Sequence, residues 1–343
     1  MKICLIGGSI RSKARLETLG EGCNTEIALA EVKKGIEQKG GEIDYIRLNN
    51  YFKKNGTRKD GKELFKKIKE ADGIVIASPV YFGTATSLVD EFLSICRERK
   101  ISLYPKVVGF VAVGAKRNGG EETTIVSLSW RVMELGAIVV NDGAPISQFG
   151  GVGVAGTLRQ MRYDREGLEV CQNLGKRVAE TTMIIQKGRK KTQSEIKIWQ
   201  MSAKPIPKRF NSYKTIELYQ MNFHRCWGCE TCPDPKKKDM DFKCRNEKDD
   251  IHKIHQLLVN SEGIIPIGWN MKFIERTRYL RRDNFQLTYS VVYIPSWEYI
   301  PIFIKENSIL CRKHFKDYVS LIKSGRAKLS LTKQIYEPRG YTI

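Results

Sequence analysis

Nothing in this chain of 343 residues approaches the run of about 18 apolar residues that marks a membrane-spanning helix. Nor does it open like an exported protein. Lys2 is followed by four apolar residues and then glycines, too few for the core of a signal peptide. The expectation is a cytoplasmic protein, and in a reducing compartment structural disulfides are rare. Acidic residues are scarce, 38 against 59 lysines and arginines, which leaves a formal charge of +21. That balance fits a nucleic-acid surface, a face for an acidic protein partner or a lysine-rich solvated exterior. The spread of lysines along the whole chain favours the last and argues against nucleic acid. Histidine is nearly missing, at four residues. His252 and His255 stand three apart with no third ligand in view and His224 is alone, so a histidine metal site is not expected.

Cysteine is clustered. Four of nine fall in CWGCETCPDPKKKDMDFKC, residues 226–244. Cys226, Cys229 and Cys232 recur every third residue, a spacing that wraps three thiolates around one corner of a cubane, with a fourth ligand from elsewhere. Cys244 supplies that fourth ligand in this reading, with Cys311 as a lesser candidate. Structural zinc more often uses two separated pairs, so a [4Fe–4S] cluster leads and zinc is the alternative. Cys4, Cys23, Cys96 and Cys171 read as buried free thiols.

The length suggests two domains. Through residue 187 short apolar runs alternate with amphipathic stretches: KICLIGG, EIDYIRL, DGIVIASPV, KVVGFVAVG and AIVVND as strands, with helices between them and one after a glycine-rich loop at 143–156. That pattern predicts an α/β fold, a doubly wound five-stranded parallel sheet covered on both faces. Residues 188–214 are basic and read as a linker with room for one short element. Residues 215–343 read as a smaller, degenerate α/β unit, with KTIELYQM and EGIIPIG as strands and 309–325 as a final helix. EADGIVIASPVYFG and NSEGIIPIGWNMKF line up as a partial repeat.

Ligands of such sheets bind at the carboxyl ends of the strands. GGSIR closes the first strand and a helix begins near Asn24 and Thr25, a turn suited to a phosphate. It is neither the GxGxxG fingerprint nor a Walker A loop. SPVYFG (78–83) follows the third strand and VGAKRNGGEETT (113–124) the fourth. Their aromatic residues and glycines suit a flat heteroaromatic ring.

The order GSxR…NT, SPVYFG, RNGGxETT resembles the NADPH-dependent FMN reductase branch of the flavodoxin-like superfamily, nearest to the iron–sulfur flavoproteins of anaerobes, over roughly residues 1–185. The resemblance implies FMN, with Ser9, Arg11, Asn24 and Thr25 at its phosphate. It places Pro79, Val80, Tyr81, Phe82 and Gly83 along the flavin, and Asn118, Gly119 and Gly120 near the ring. Two departures stand out. Residues 12–23 are inserted into the phosphate loop, and no cysteine precedes the second helix, where these flavoproteins carry their cluster. Here the cysteines lie in the partial repeat instead.

These features imply a flavin-dependent oxidoreductase passing electrons between a [4Fe–4S] cluster, FMN and a small molecule, NAD(P)H or an acidic carrier such as ferredoxin. A homodimer or homotetramer would complete the flavin edge. The basic stretch 275–283 would dock the carrier, and the aromatic-rich stretch 289–303 would pack a sheet or an interface. The alternatives are a plain NAD(P)H-dependent FMN, quinone or nitro reductase with structural zinc, and a basic nucleic-acid-binding or regulatory protein on a flavodoxin scaffold.

Overall fold

In a computed structural model of the protein, the residues described are 1–52, 61–142, 150–188, 195–202, 205, 213–224, 248–250, 253, 263–267, 302–304, 308–310 and 314–329. The apolar runs of the first half form β1 (Lys2–Gly7), β2 (Glu42–Arg47), β3 (Gly73–Pro79), β4 (Val107–Gly114) and β5 (Ile138–Val140). β1, β3 and β4 are buried almost throughout, as strands covered on both faces must be. The crossovers are α1 (Asn24–Glu37), α2 (Lys62–Glu70), α3 (Ser87–Glu98) and α4 (Glu121–Glu134), and α5 (Arg165–Lys187) follows. The strands run parallel in the order β2-β1-β3-β4-β5, the flavodoxin-like doubly wound order. Alternate strand residues feed two cores. Leu5, Val75 and Val111 pack with Leu29 of α1 and Leu174 of α5. Ile6, Ile76 and Phe110 pack with Phe92 of α3 and Leu128 of α4.

α1 and α5 meet backbone to backbone. A Cβ on Gly35 would collide with the Gln172 carbonyl, and one on Gly175 with the Val32 carbonyl. The stretch 143–156, expected to be a loop, contains a strand, β6 (Gly151–Val154). It pairs with Val111–Gly114 of β4, while β5 pairs with Val107 and Val108. Two short strands thus share one edge of β4. The glycines of β6 serve contact rather than turning: a Cβ on Gly151 would lie 2.8 Å from the Val111 side chain, and one on Gly153 2.6 Å from Met161.

The second half extends the same sheet. It contributes β7 (Ile198–Ser202), inside the stretch expected as a linker, then β8 (Lys214–Glu217), β9 (Gly263–Ile267), β10 (Ile302–Ile304) and β11 (Ser308–Leu310). β8-β7-β9 is a parallel trio in the same order as β2-β1-β3, and the register Ile198↔Gly263 reproduces Ile3↔Gly73. The partial repeat is therefore a repeat of topology. β9 joins β10, β10 joins β11 and β11 joins β5, each antiparallel. Three antiparallel steps reverse the second trio relative to the first. Ser308–Leu310, of which Ile309 and Leu310 were expected to open the final helix, instead pairs with the outer edge of β5, where backbone groups would otherwise lack partners. The helix α6 starts later (Phe315–Lys328).

α6 packs against α5 through another pair of glycines. A Cβ on Gly325 would collide with the Ile184 carbonyl, and one on Gly188 with the Leu321 carbonyl. Tyr318, fully buried, donates its hydroxyl hydrogen to the Gly136 carbonyl at 2.9 Å. The Tyr104 ring stacks on His314 with centroids 4.2 Å apart. Replacing Gly325 by valine would wedge these helices apart, at a cost of about 1–3 kcal/mol. The urea midpoint should fall accordingly. Gly20→Ala, whose new methyl would meet only Ala30 at 3.9 Å, should leave the midpoint close to wild type.

Candidate functional site

β1, β3, β4 and β6 end at one sheet edge, and the loops that follow them are bonded together. In the first, the Gly8 N–H donates to the Ala77 carbonyl at 2.7 Å. A Cβ there would collide with Val89. The Thr86 hydroxyl donates to the Gly8 carbonyl at 2.6 Å, and the Thr86 N–H donates to Ser78 Oγ at 3.0 Å, so the first loop is tied to the segment after β3. Ser9 is buried. Its Oγ accepts the Arg11 N–H at 3.1 Å and its carbonyl accepts the Ser12 N–H at 3.1 Å, a tight turn that leaves the Arg11 side chain exposed.

The insertion 12–23 carries a 3-10 helix, Leu16–Glu21. It is anchored by a carboxylate that the sequence reading did not single out. Glu26 is fully buried. It accepts the Ala14 N–H at 2.9 Å, the Cys23 N–H at 2.9 Å and the Tyr45 hydroxyl at 3.0 Å. The signal available was an acidic residue in the first turn of α1, three positions after its cap. Asn49 adds donations to the Ile10 carbonyl at 3.1 Å and the Ser12 carbonyl at 2.7 Å. Asn24 faces the loop after β6: its amide donates to the Thr157 carbonyl at 2.7 Å and its oxygen accepts the Met161 N–H at 3.2 Å. Thr25 is buried beside it. Arg162 closes the same seam by donating to the Gly20 carbonyl at 2.9 Å.

After β3, Pro79 leads into a turn. The Val80 N–H donates to the Val113 carbonyl at 2.9 Å, and Tyr81 and Thr84 exchange backbone hydrogen bonds, each 3.0 Å. Phe82 (φ 51°) and Gly83 (φ 76°) form its tip, with Phe82 fully exposed and Tyr81 about half exposed. After β4, Asn118 (φ 59°) and Gly120 (φ 103°) bring the third loop onto the second. A Cβ on Gly120 would lie 2.6 Å from Gly83 Cα. One on Gly119 would lie 2.6 Å from the Lys116 carbonyl. Glu121, buried behind this loop, has no hydrogen-bond partner for either carboxylate oxygen among the described residues, and a Cβ on Gly114 would collide with it. Phe82, Asn118 and Arg159 are three of the four non-glycine residues with positive φ among the described residues. All three lie on this edge, and such strain gathers at ligand clamps. A glycine-lined gap beside exposed aromatic rings, a turn with an exposed arginine and the N-terminus of α1 together fit a flat ring with a phosphate tail.

Cys226, Cys229, Cys232, Cys244 and Cys311 lie outside the described residues, as do the stretch 275–283 and residues 289–301 of the aromatic-rich stretch, whose last two residues belong to β10. The flanks of the cysteine segment are described, and they are fastened together. The Asn222 N–H donates to Asp250 Oδ2 at 2.8 Å, and the Asp250 N–H donates to the Asn222 carbonyl at 2.9 Å. The His224 N–H donates to the buried Asp249 carboxylate at 2.8 Å. This neck follows the carboxyl end of β8, at the sheet edge opposite the glycine loops. β8 stands eight strand spacings from β1, about 38 Å along the sheet. Among the described residues no group of three His, Cys, Asp or Glu side chains is placed to hold a metal ion. No helix among them is long and apolar enough to cross a membrane. Cys4, Cys23, Cys96 and Cys171 are buried and free. Burial pushes the Cys4 and Cys96 thiols up to about 12 and raises Cys23 and Cys171 as well, so thiolate chemistry is suppressed at all four.

Glu26→Ala would leave one buried and two part-buried donors without this acceptor, a loss of about 1–3 kcal/mol. Chemical denaturation should show that drop, and limited proteolysis should show new cleavage within 12–23. Unchanged cleavage would mean that the insertion holds its shape by other means.

The sequence profile of the NADPH-dependent FMN reductase family matches residues 1–151. An iron–sulfur flavoprotein of Methanocaldococcus jannaschii is 37% identical over 202 residues, which span 54% of this chain and 100% of that protein. An iron–sulfur flavoprotein of Methanosarcina thermophila is 31% identical over 208 residues, 56% of this chain and 100% of that protein. Among solved structures, a flavodoxin from the domain Archaea aligns over 53% of this chain and 99% of its own, at 15% identity and a TM-score of 0.35. With the whole length of two such relatives matched at this identity, the chain belongs to the iron–sulfur flavoprotein family.

Proposed function

We propose that the glycine-loop edge binds FMN noncovalently and that the thiolates of Cys226, Cys229, Cys232 and Cys244 hold one [4Fe–4S] cluster. The protein is a flavin-dependent oxidoreductase. The observation that carries the FMN assignment is the contact of Gly83 with Gly120, which brings the loops after β3 and β4 together as one cradle. Ser9 and Arg11, with the N-terminus of α1, receive the phosphate. Asn24 builds the wall behind it by fixing the 157–161 segment, and Thr25 is buried next to it in the first turn of α1. Pro79, Val80, Tyr81, Phe82 and Gly83 lie along the flavin and exclude water from one side, and Asn118, Gly119 and Gly120 close the other. Bound FMN supplies one- and two-electron transfer.

The cluster assignment rests on the triple cysteine spacing and on the neck, which holds both ends of the segment in one place. It follows β8 as the second crossover of the first unit follows β2, the position where the sequence reading expects these flavoproteins to carry cysteines. We take residues 1–187 as the FMN-binding unit, 188–214 as the connection and 215–343 as the cluster-binding unit. The electron donor is NAD(P)H or a ferredoxin-type carrier, and the opposite placement of neck and glycine loops disfavours direct exchange between the two centres of one chain.

Anaerobically purified protein should release about one FMN per chain. Gly120→Val should weaken FMN binding at least tenfold, read by flavin fluorescence, because valine at φ 103° is strained and pushes Gly83 away. Cys229→Ala should lose the broad iron–sulfur absorption and keep its FMN. Iron retained in that variant, or zinc as the sole metal of the wild type, overturns the cluster and leaves the FMN site standing.

A further inference from the structure

Glu121 is the first residue of α4 and is fully buried, yet neither of its carboxyl oxygens meets a hydrogen-bond donor among the described residues. Burying a polar group without a partner opposes folding. An acid in the first turn of a helix ordinarily answers the free N–H groups and the positive end of the helix. Glu122, next in the chain and partly exposed, stands where that role is served. Glu121 instead folds back beneath the loop that follows β4. A Cβ on Gly114, the last residue of that strand, would collide with its Oε1, so only glycine there leaves room for the carboxyl. Its two oxygens also reach the far end of the loop, 3.5 and 3.6 Å from the point where Gly119 would carry a Cβ.

The loop has the opposite deficit. Residues 115–119 are exposed, and the backbone N–H groups of Lys116, Arg117, Asn118, Gly119 and Gly120 donate to no other described residue. A buried acceptor with nothing to accept lies beside a run of amides with nothing to donate to. The backbone between them is strained, with Asn118 at φ 59° and Gly120 at φ 103°, and such strain gathers at clamps and switches. The other side of the same loop meets the turn after β3, where a Cβ on Gly120 would lie 2.6 Å from Gly83 Cα. Glu121 is therefore behind the cradle, with the loop between it and the proposed flavin.

We propose that Glu121 latches this loop onto the flavin. When FMN lies against residues 118–120, the loop settles toward α4 and the Glu121 carboxyl accepts the Gly119 N–H. Glu121 is a positioning residue: it touches the loop and not the flavin. Its unpartnered carboxyl makes the flavin-free form less stable than an apolar residue of the same size would, and the bond gained on closure adds to flavin affinity. Stability without ligand and affinity for ligand are thus set against each other at one side chain, a trade common at binding sites. This inference rests on the FMN reading and adds a residue behind the cradle to those that line it.

The test compares the full chain with and without FMN, as wild type, as Glu121→Met, which keeps the length of the side chain but offers no oxygen, and as Glu121→Gln, which keeps one acceptor oxygen. Without FMN, Glu121→Met should unfold at a higher urea concentration than wild type, because it removes a buried polar group that has no partner. In a fluorescence titration with FMN, Glu121→Met should bind about tenfold more weakly, the worth of one hydrogen bond. Glu121→Gln should stay within about threefold of wild type, since its amide oxygen still accepts. Amide exchange read by mass spectrometry should slow across 116–120 when FMN saturates the wild type or Glu121→Gln, and slow less in Glu121→Met. Glu122→Gln, the neighbouring acid, should match wild type in all three measurements. Three results overturn the latch and leave the FMN reading standing. They are wild-type FMN affinity in Glu121→Met, a lower urea midpoint in flavin-free Glu121→Met, which would make Glu121 an ordinary support of the fold, and equal protection of 116–120 in every variant. A wild type that takes up no FMN overturns both.

Discussion

One strand pair sets the geography of this molecule: β11 lies antiparallel against β5. A parallel sheet ending at β5 would leave a row of open backbone groups, a template for pairing with other chains. β11 covers that row, and β10 and β9 follow by two further antiparallel steps. The second trio of strands then points the opposite way from the first. Its loops cannot share an edge with the glycine loops, whatever those loops contain. The separation of the neck from the glycine loops is a property of backbone direction, set before any side chain is considered.

Close approach by glycine is used three times at different scales. Gly35 with Gly175 brings α1 against α5, Gly188 with Gly325 brings α6 against α5, and Gly83 with Gly120 brings the loops after β3 and β4 into contact. The first two pairs fasten the layers and the third shapes the cradle. α5 takes part in both helix contacts, so it connects the packing of the first half to that of the second. At the other end of the cradle, the buried Glu26 does for the insertion what a glycine pair cannot. It gathers three donors from separate segments and makes an added loop part of the fold.

Much of this was legible in the sequence. Continuous apolar runs at β1, β3 and β4 and helical spacing in α1 to α5 identify a doubly wound fold, because burial on both faces and on one face leave different periods. The three loops after β1, β3 and β4 were legible because GGSIR, SPVYFG and RNGG put glycine, joined in SPVYFG by aromatic residues, just after strands. β6 was hidden by its own glycines, which read as a loop but answer to Val111 and Met161. β7 was short and lay in basic surroundings, and β11 was masked by the helical pattern that follows it. The reversal of the second trio was illegible in principle, since hydrophobic period is the same for either strand direction. Glu26 showed locally only as a first-turn acid three positions after the cap, without its bonds to Ala14 and Tyr45, and the neck at Asn222 and Asp250 joins residues far apart in sequence, for which local pattern carries no signal.

The neck has a thermodynamic side. Bringing two distant points of an unfolded chain together costs conformational entropy that grows as the logarithm of the length between them, about 3 kcal/mol for Asn222 and Asp250 before a constant term. Protein hydrogen bonds already cover that cost. The two flanks of the cysteine segment are therefore held by bonds that belong to the fold itself, so a change of sequence between them need not disturb the strand that leads into the neck.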